Sequence, residues 1–600
     1  MEKKQNLLLI PFDPVHDVGI RLVGQKLEER GHHVTLVPPD LPAEEIIKRA
    51  QEHRYDFILV SRTMGYGLAE VLGRLVDYLE AAGLRARTKL VLGGKAATPE
   101  LAAELGFDAG FPPGAPVDEV VAYIEGSPLE PGVKFVKRAK KDITERYSYS
   151  YKQAEIGRLL DTIADEAIGW AEDKTTPGIE RAELRRAMLE DPTNERACLS
   201  SYLSLCDDSI VRHYTDHVPI KGTRFLCPEE TQILDKLHSA PPTQKIRHSP
   251  RHPLLVIFVG SGCPVMDAAH ILAADGWGID GVILVDPSWS ARIEGLMRGL
   301  VAQEEDGTVI TSANVELIKK YLNPELYFQL RMHRGINTPE MSVYGAHFSI
   351  DFGKITPVYG SLHGGTDPER LVADAIYAIK TAAGHGFPFD IPGNDELSGT
   401  PPDKVFAGML TTAAIARKIG ARPVLKPLLC FSPYNMLHGQ MDNNYVDYNF
   451  GKIRALQSIL DAPVWCGEPV GFNTHEDDRS QSAITTALHS VLAASAGADI
   501  LTFASTDESY SRGPIVMPSR TDTFNALRSA YRFFGDATIT PTMKADEYRD
   551  EILDGIHEVL QRVVDHGSFV KSIYSGQYGS VDDGAKPGRA GRGTVTKKTA

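Results

Sequence analysis

The chain has 600 residues, 42% apolar and 24% charged, which is the make-up of a globular protein with room for about two to four domains. A formal net charge of −15 argues against nucleic acid as the main partner, because phosphate binding needs a basic surface. The apolar run in MEKKQNLLLIPFD is too short for a signal peptide, and no stretch approaches the roughly 18 apolar residues of a membrane span. The six cysteines show no CxxC spacing, so a cytoplasmic protein with reduced thiols is expected.

Residues 5–125 alternate short apolar runs with amphipathic segments. Strands are predicted at LLLIPF, HVTLVPP, FILVSR, KLVLGG and DAGFPPG, with helices over 18–30, 42–53, 67–82 and 98–105. The β-α repeat implies a parallel, doubly wound sheet with right-handed crossovers. Ligands bind such sheets at the carboxyl ends of the strands, so those loops hold the candidates. DPVHDVG carries Asp13, His16, Asp17 and Gly19. A neutral imidazole there can ligate a metal, with a carboxylate fixing its tautomer; taken alone, a turn histidine is an ordinary surface residue. FILVSRTMGYG offers the hydroxyls of Ser61 and Thr63, while Gly65 and Gly67 remove bulk. KLVLGGK ends in Gly93 and Gly94, and ELGFDAGFPPG in Phe111, Pro113 and Gly114. Together these loops describe a broad slot, and the domain has neither GxGxxG nor GxxxxGK[ST] to mark a dinucleotide or P-loop site.

The basic stretch KFVKRAKKDITERYSYSYKQAE opens a connector over 128–248, mainly helical across 150–245 and closed by APPTQKIRHSPRHP. From Leu254 a second series begins, with strands expected at LLVIFVG, GVILVDPS, SVYGAHFSI, RPVLKPLLCF, APVWCGE and DILTFAS. Helices are expected over 265–275, 290–303, 369–384, 403–419 and 480–496. The number of units predicts a (β/α)8 barrel over 249–570, a second doubly wound domain being the alternative. Polar groups at the expected strand ends are Asp286, Ser288, Arg292, His347, Asp351, Lys426, Tyr434, Asn435, His438, Glu468, Asp507, Glu508, Tyr510 and Arg512. Arg292 and Lys426 are suited to clamping a substrate carboxylate, and Glu468 and Glu508 to holding an ammonium group; ordinary loop salt bridges are the alternative. The tail 571–600 is rich in Gly and basic residues. It reads either as a disordered end or, through Lys586, Arg589 and Arg592, as a wrap around an anionic group or the barrel rim.

The set His16-x-x-Gly19, VSRTMGYG, LVLGGK and ELGFDAGFPPG resembles the cobalamin-binding domain of the adenosylcobalamin-dependent mutases. The last segment is most similar to the lysine 5,6-aminomutase small subunit. Residues 250–590 are similar in layout to the barrels of lysine 5,6-aminomutase and D-ornithine 4,5-aminomutase, and more distantly to glutamate mutase. The best local matches are DESYSRGPIVMPSRTDTFNALRSAYRFF and FVKSIYSGQYGSVDDGAKPGRAGRGTV. The resemblance implies a Rossmann-like (flavodoxin-like) N-terminal domain, a helical connector and a TIM-type barrel. It implies adenosylcobalamin as cofactor and His16 as the lower ligand of its cobalt. It also implies a radical 1,2-rearrangement of a small amino-acid or carboxylic-acid substrate, in a homo-oligomer with a further mutase subunit or a reactivating chaperone as additional partners.

Three departures stand out. The family pattern has its aspartate two residues before the histidine, whereas FDPVH puts Asp13 three before, leaving Asp17 as a substitute. The lysine and ornithine enzymes use pyridoxal phosphate on a lysine in a segment preceding the cobalamin fold; that segment is not expected here and no Schiff-base lysine can be named. Glutamate mutase's lysine–glutamate pair also lacks its lysine in ILTFASTDESY. A corrinoid-dependent methyltransferase, with 150–245 as a helical cap, and a non-catalytic cobalamin-binding sensor or carrier remain the alternatives.

Overall fold

Strand β1 (Asn6–Pro11) is apolar on both faces and buried on both, as a central strand of a parallel sheet covered by helices must be. It belongs to a computed structural model that describes residues 4–13, 17–63, 68–95, 97–127, 140, 142–191, 193, 195–205, 253–259, 268, 271–272, 274–275, 278–284, 312–332, 338–362, 366–429, 441–467, 479–503, 517–580 and 591–598. Around β1 stand β2 (His33–Leu36), β3 (Phe57–Ser61), β4 (Lys89–Gly93) and β5 (Ala109–Phe111), in the order β2-β1-β3-β4-β5 and all parallel. Alternate residues feed two cores. Leu8, Ile10, Ile58, Val60, Leu90 and Leu92 meet α2 (Ala43–Glu52), α3 (Leu68–Ala81) and α4 (Pro99–Leu105) on one face. Leu7, Leu9, Phe57, Leu59 and Val91 meet α1 (Val18–Glu29) and α5 (Val117–Ile124) on the other. Helix α4 starts where Thr98 accepts from the Leu101 N–H and Pro99 fills the first turn, and stops at left-handed Gly106. In this strand order the connections reverse direction between β1 and β3, which is where a flavodoxin-like sheet binds its ligand.

Helix α6 (Ala154–Glu172) buries Ile156, Leu159, Leu160 and Ile163 in the same core as the helices Pro402–Ile419 and Lys544–His566. It therefore forms a layer of the larger unit. The two-residue strand β6 (Lys174–Thr175) and α7 (Pro177–Glu190) follow. The remaining strands are β7 (Leu254–Val259), β8 (Gly281–Leu284), β9 (Tyr327–Leu330), β10 (Gly353–Lys354), β11 (Phe389–Pro392), β12 (Pro423–Lys426), β13 (Trp465–Cys466) and β14 (Ile500–Phe503). They form two parallel sheets, β13-β14-β7-β8-β9 and β10-β11-β12. Isolated parallel bridges adjoin the sheets at both edges, Gln329 to Phe352 on one side and Leu425 to Val464 and Leu428 to Gly467 on the other. Thus the strands are drawn as two sheets, not as one continuous ladder. Val256, Phe258, Ile283, Tyr327, Phe352, Val424, Trp465 and Ile500 nevertheless meet in a single cluster, and the Phe352 and Trp465 rings touch edge to face at 5.3 Å. Helix α3 of the first unit lies against the helix Met517–Phe534 of the second.

Three expectations are corrected. SVYGAHFSI is not a strand but most of the helix Thr338–His347, whose residues from Thr338 to Gly345 are all buried. A segment buried all round carries no helical stripe, so Val and Tyr read as strand formers. As a result His347 sits exposed in a last helical turn, and Asp351 precedes β10 at the end opposite to a strand-end site. There Asp351 accepts from the Phe328 N–H at 2.8 Å and pairs with Lys140 at 2.6 Å. Finally, residues 591–598 of the tail are ordered: β15 (Thr596–Lys597) pairs antiparallel with β6, and Arg370 donates to the Thr594 hydroxyl at 2.9 Å. Arg592 is exposed there, while Lys586 and Arg589 lie outside the described residues. No helix among the described residues is long and apolar enough to cross a membrane.

Candidate functional site

The carboxyl ends of β1, β3 and β4 are fastened to one another. Just past β1, Asp13 is completely buried, and a buried carboxylate demands compensation. The backbone N–H of Thr63 donates to its Oδ2, and the Arg62 guanidinium stands 3.6 Å from its Oδ1. Arg62 also donates from Nη1 to the Phe12 carbonyl at 2.5 Å, and its backbone N–H donates to the Gly93 carbonyl at 2.9 Å. Ser61 lies in register with Pro11 on one side and Gly93 on the other. Asp17 does not cap α1 with its side chain and instead pairs with Arg21 one turn on, at 2.6 Å. His16 and Gly65 lie outside the described residues.

The glycines divide into two kinds. Gly94 has φ +129°, and a Cβ there would sit 2.0 Å from the Arg62 carbonyl oxygen, so the fold itself demands glycine. At Gly93, Gly19 and Gly114 a Cβ would meet nothing within 4 Å, so these positions border open space. Pro113 is exposed beside Gly114. Phe111, expected in the slot, is buried with its ring against Tyr123 at 6.0 Å; alternation along β5 turns it into the core of α1 and α5. An open edge of bare backbone at the switch point suits a large flat ligand pressed against β4. Among the described residues no group of three or more His, Cys, Asp or Glu could hold a metal ion. Two substitutions separate the roles. Gly93→Leu leaves the thermal midpoint of the N-terminal domain nearly unchanged but blocks the open edge. Gly94→Ala lowers that midpoint, with a loss of more than about 1 kcal/mol for a strained backbone site. Calorimetry with ligand titration checks both.

A second polar group spans β11 and β12, with Lys426 the last residue of β12 and Asp390 the second residue of β11. Lys426 is fully buried, with Nζ 3.2 Å from Asp390 Oδ2 and 4.5 Å from the Trp465 ring centroid. Asp390 Oδ1 accepts from Gln329 Nε2 at 2.6 Å, and the same amide donates to the Gly353 carbonyl at 2.7 Å. Trp465 Nε1 donates to the Thr502 hydroxyl at 2.7 Å. Beyond β11, Glu396 and Lys452 form a second fully buried pair at 2.6 Å, with the Tyr448 hydroxyl at 3.3 Å from Glu396. Burial pushes the Glu396 carboxyl up from its ordinary range, against the pull of Lys452. These fixed charges in a water-poor interior are suited to orienting a small polar molecule.

Of the sequence candidates among the described residues of the larger unit, only Lys426 stands in this network. His347 lines a surface cavity of about 520 Å³ with Tyr377 and Lys380, in the outer helical layer. Arg292, Glu468 and Glu508 lie outside the described residues, as do Asp286, Ser288, Tyr434, Asn435, His438, Asp507, Tyr510 and Arg512. Sequence reasoning missed Asp390, Gln329, Glu396 and Lys452. The available signal was a carboxylate inside the apolar run FPFDIP.

Residues 11–122 match the family described as "B12 binding domain". The lysine 5,6-aminomutase beta subunit of Fusobacterium nucleatum subsp. nucleatum is 45% identical over 86 residues, 14% of this chain and 33% of that protein. The glutamate mutase sigma subunit of the same organism is 30% identical over 129 residues, 20% of this chain and 93% of that protein. Dimethylamine corrinoid protein 3 of Methanosarcina acetivorans is 33% identical over 94 residues, 16% of this chain and 44% of that protein. The chain spans about a third of the length of the lysine 5,6-aminomutase beta subunits it matches.

Proposed function

Because the chain belongs to the B12-binding family of the glutamate mutase sigma and lysine 5,6-aminomutase beta subunits, we propose that it is a cytoplasmic adenosylcobalamin-dependent radical mutase acting on a small amino or carboxylic acid. One observation carries the reading beyond cobalamin binding: the same chain pairs an open slot at the β1/β3 switch point with a second set of parallel strands whose carboxyl ends hold buried charges. We take the two parallel sheets of the larger unit as one (β/α)8 barrel over 249–570, joined to a cobalamin domain over 1–127 by 128–248 and followed by the tail 571–600. The edge bridges and the single inner cluster support this.

When bound, adenosylcobalamin supplies a 5′-deoxyadenosyl radical by homolysis of its Co–C bond. The chain's residues then have separable tasks. His16 would hold the cobalt of the cofactor. The open edge at Gly19, Gly93 and Gly114, with Ser61 and Thr63 beside it, would hold the cofactor. Lys426, held by Asp390, and Arg292 bind the substrate carboxylate. Glu468 and Glu508 bind an ammonium group where the substrate has one. The barrel interior keeps water away from the radical. Pyridoxal phosphate stays open as a second cofactor, and borohydride trapping of a lysine adduct decides it. A further mutase subunit is the expected partner, within a homo-oligomer.

The similarity to a dimethylamine corrinoid protein favours a second reading, a corrinoid methyltransferase. Substrate added to the cobalamin-loaded protein should produce a low-spin Co(II) EPR signal coupled to an organic radical. Cycling through Co(I) with no radical signal would instead establish methyl transfer. A cofactor that stays inert with every amine and acid tried would leave a sensor or carrier.

A further inference from the structure

We infer that Arg62 is a positioning residue for the cobalamin slot: it clamps the ends of β1, β3 and β4 and thereby fixes the anchor of the turn that carries His16. The inference rests on the cobalamin reading of that slot. Arg62 follows the last residue of β3, yet its guanidinium reaches back to β1. Nη1 donates to the Phe12 carbonyl at 2.5 Å, Nε stands 3.6 Å from Asp13 Oδ1, and the guanidinium carbon lies 6.0 Å from the Phe12 ring centroid. Its backbone reaches the other way. The N–H donates to Gly93, and the carbonyl lies so close over Gly94 that no Cβ fits between them. One residue thus touches three of the four loops that border the slot.

The chemistry of the contacts makes the clamp directional. Asp13 is completely buried and Arg62 is nearly so, its side chain 11% exposed. The pair is therefore worth most as a pair, and removal of the guanidinium takes from a buried carboxylate the cation beside it, while the Thr63 N–H bond stays. The charge-assisted bond to the Phe12 carbonyl disappears in the same step. Asp13 and His16 are three residues apart, so by chain geometry Asp13 holds the backbone within about 11 Å of the ligand residue. Ligand geometry set by outer partners commonly changes affinity about 10- to 100-fold when those partners are lost. In this chain the aspartate standing one residue early is engaged by Arg62 and Thr63 of the β3 loop.

Full-length Arg62→Met and Arg62→Lys, loaded with cobalamin, test this through two readouts that are independent of turnover. Titration should show the Arg62→Met dissociation constant raised about 10- to 100-fold. The EPR spectrum of its Co(II) form should become a mixture with and without the nitrogen splitting of a histidine ligand. Arg62→Lys keeps the charge and should recover most of the splitting. If Arg62→Met does not fold, Asp13→Asn/Arg62→Met, which removes both charges, is measured in its place, and the same mixed spectrum is expected. A folded Met variant, or double variant, with wild-type affinity and complete splitting overturns the inference. Wild-type protein that never binds cobalamin overturns the reading of the slot instead.

Discussion

Replacing His16 with alanine should abolish the nitrogen splitting in the EPR spectrum of the Co(II) form, and turnover should fall by more than about 100-fold. The reason for so large an effect is positional. In sequence the histidine follows β1, the strand that pairs with β3 where the connections of the sheet reverse direction. An axial ligand acts on the metal directly, so its loss should exceed the roughly 10- to 100-fold change typical of an outer partner. Exogenous imidazole should restore part of the splitting, because the slot itself survives. If the alanine variant keeps its splitting, the ligand is another residue and the assignment fails.

The second large effect is on stability. Lys426→Met leaves Asp390 buried beside an apolar side chain, with the Gln329 amide still donating to it at 2.6 Å. Breaking one half of a buried ion pair costs about 3–5 kcal/mol, so the unfolding transition of the larger unit should move sharply to lower denaturant. Adding Asp390→Leu to that variant should restore most of the loss, because two apolar groups need no compensation. The double variant should fold yet lose substrate binding, since it no longer carries the charge proposed to hold a carboxylate. A single variant as stable as the wild type would mean that the two groups are not energetically coupled.

The first domain was largely legible because its information is local. LLLIPF, FILVS and KLVLG are strands buried on both faces, and each is closed by a turn signal. What happens to Asp13 was not legible, since its partners Arg62 and Thr63 lie about 50 residues away and no periodicity links them. Phe111 misled for the opposite reason: being next to a strand end suggested the slot, but the pleat sends its ring inward. In the larger unit β9 and β11 were missed because YFQL and FDIP are only four residues long and each carries a polar residue in mid-run. Those two residues, Gln329 and Asp390, build the charged network. Sequence reading thus lost strands exactly where the interior departs from apolar patterning, which is where sites tend to be.

The pairing of β15 with β6 has a consequence for the order of biosynthesis. Lys598 reaches back to the Glu172 carbonyl across 426 residues of chain. At the usual ribosomal pace of about 5–20 residues per second, the partner of β6 emerges roughly 20–85 s after it. Meanwhile the two hydrophobic cores of the N-terminal domain are drawn from its own β-α units. The cores of the N-terminal domain are therefore complete in the nascent protein long before the antiparallel pairing of β15 with β6 can form.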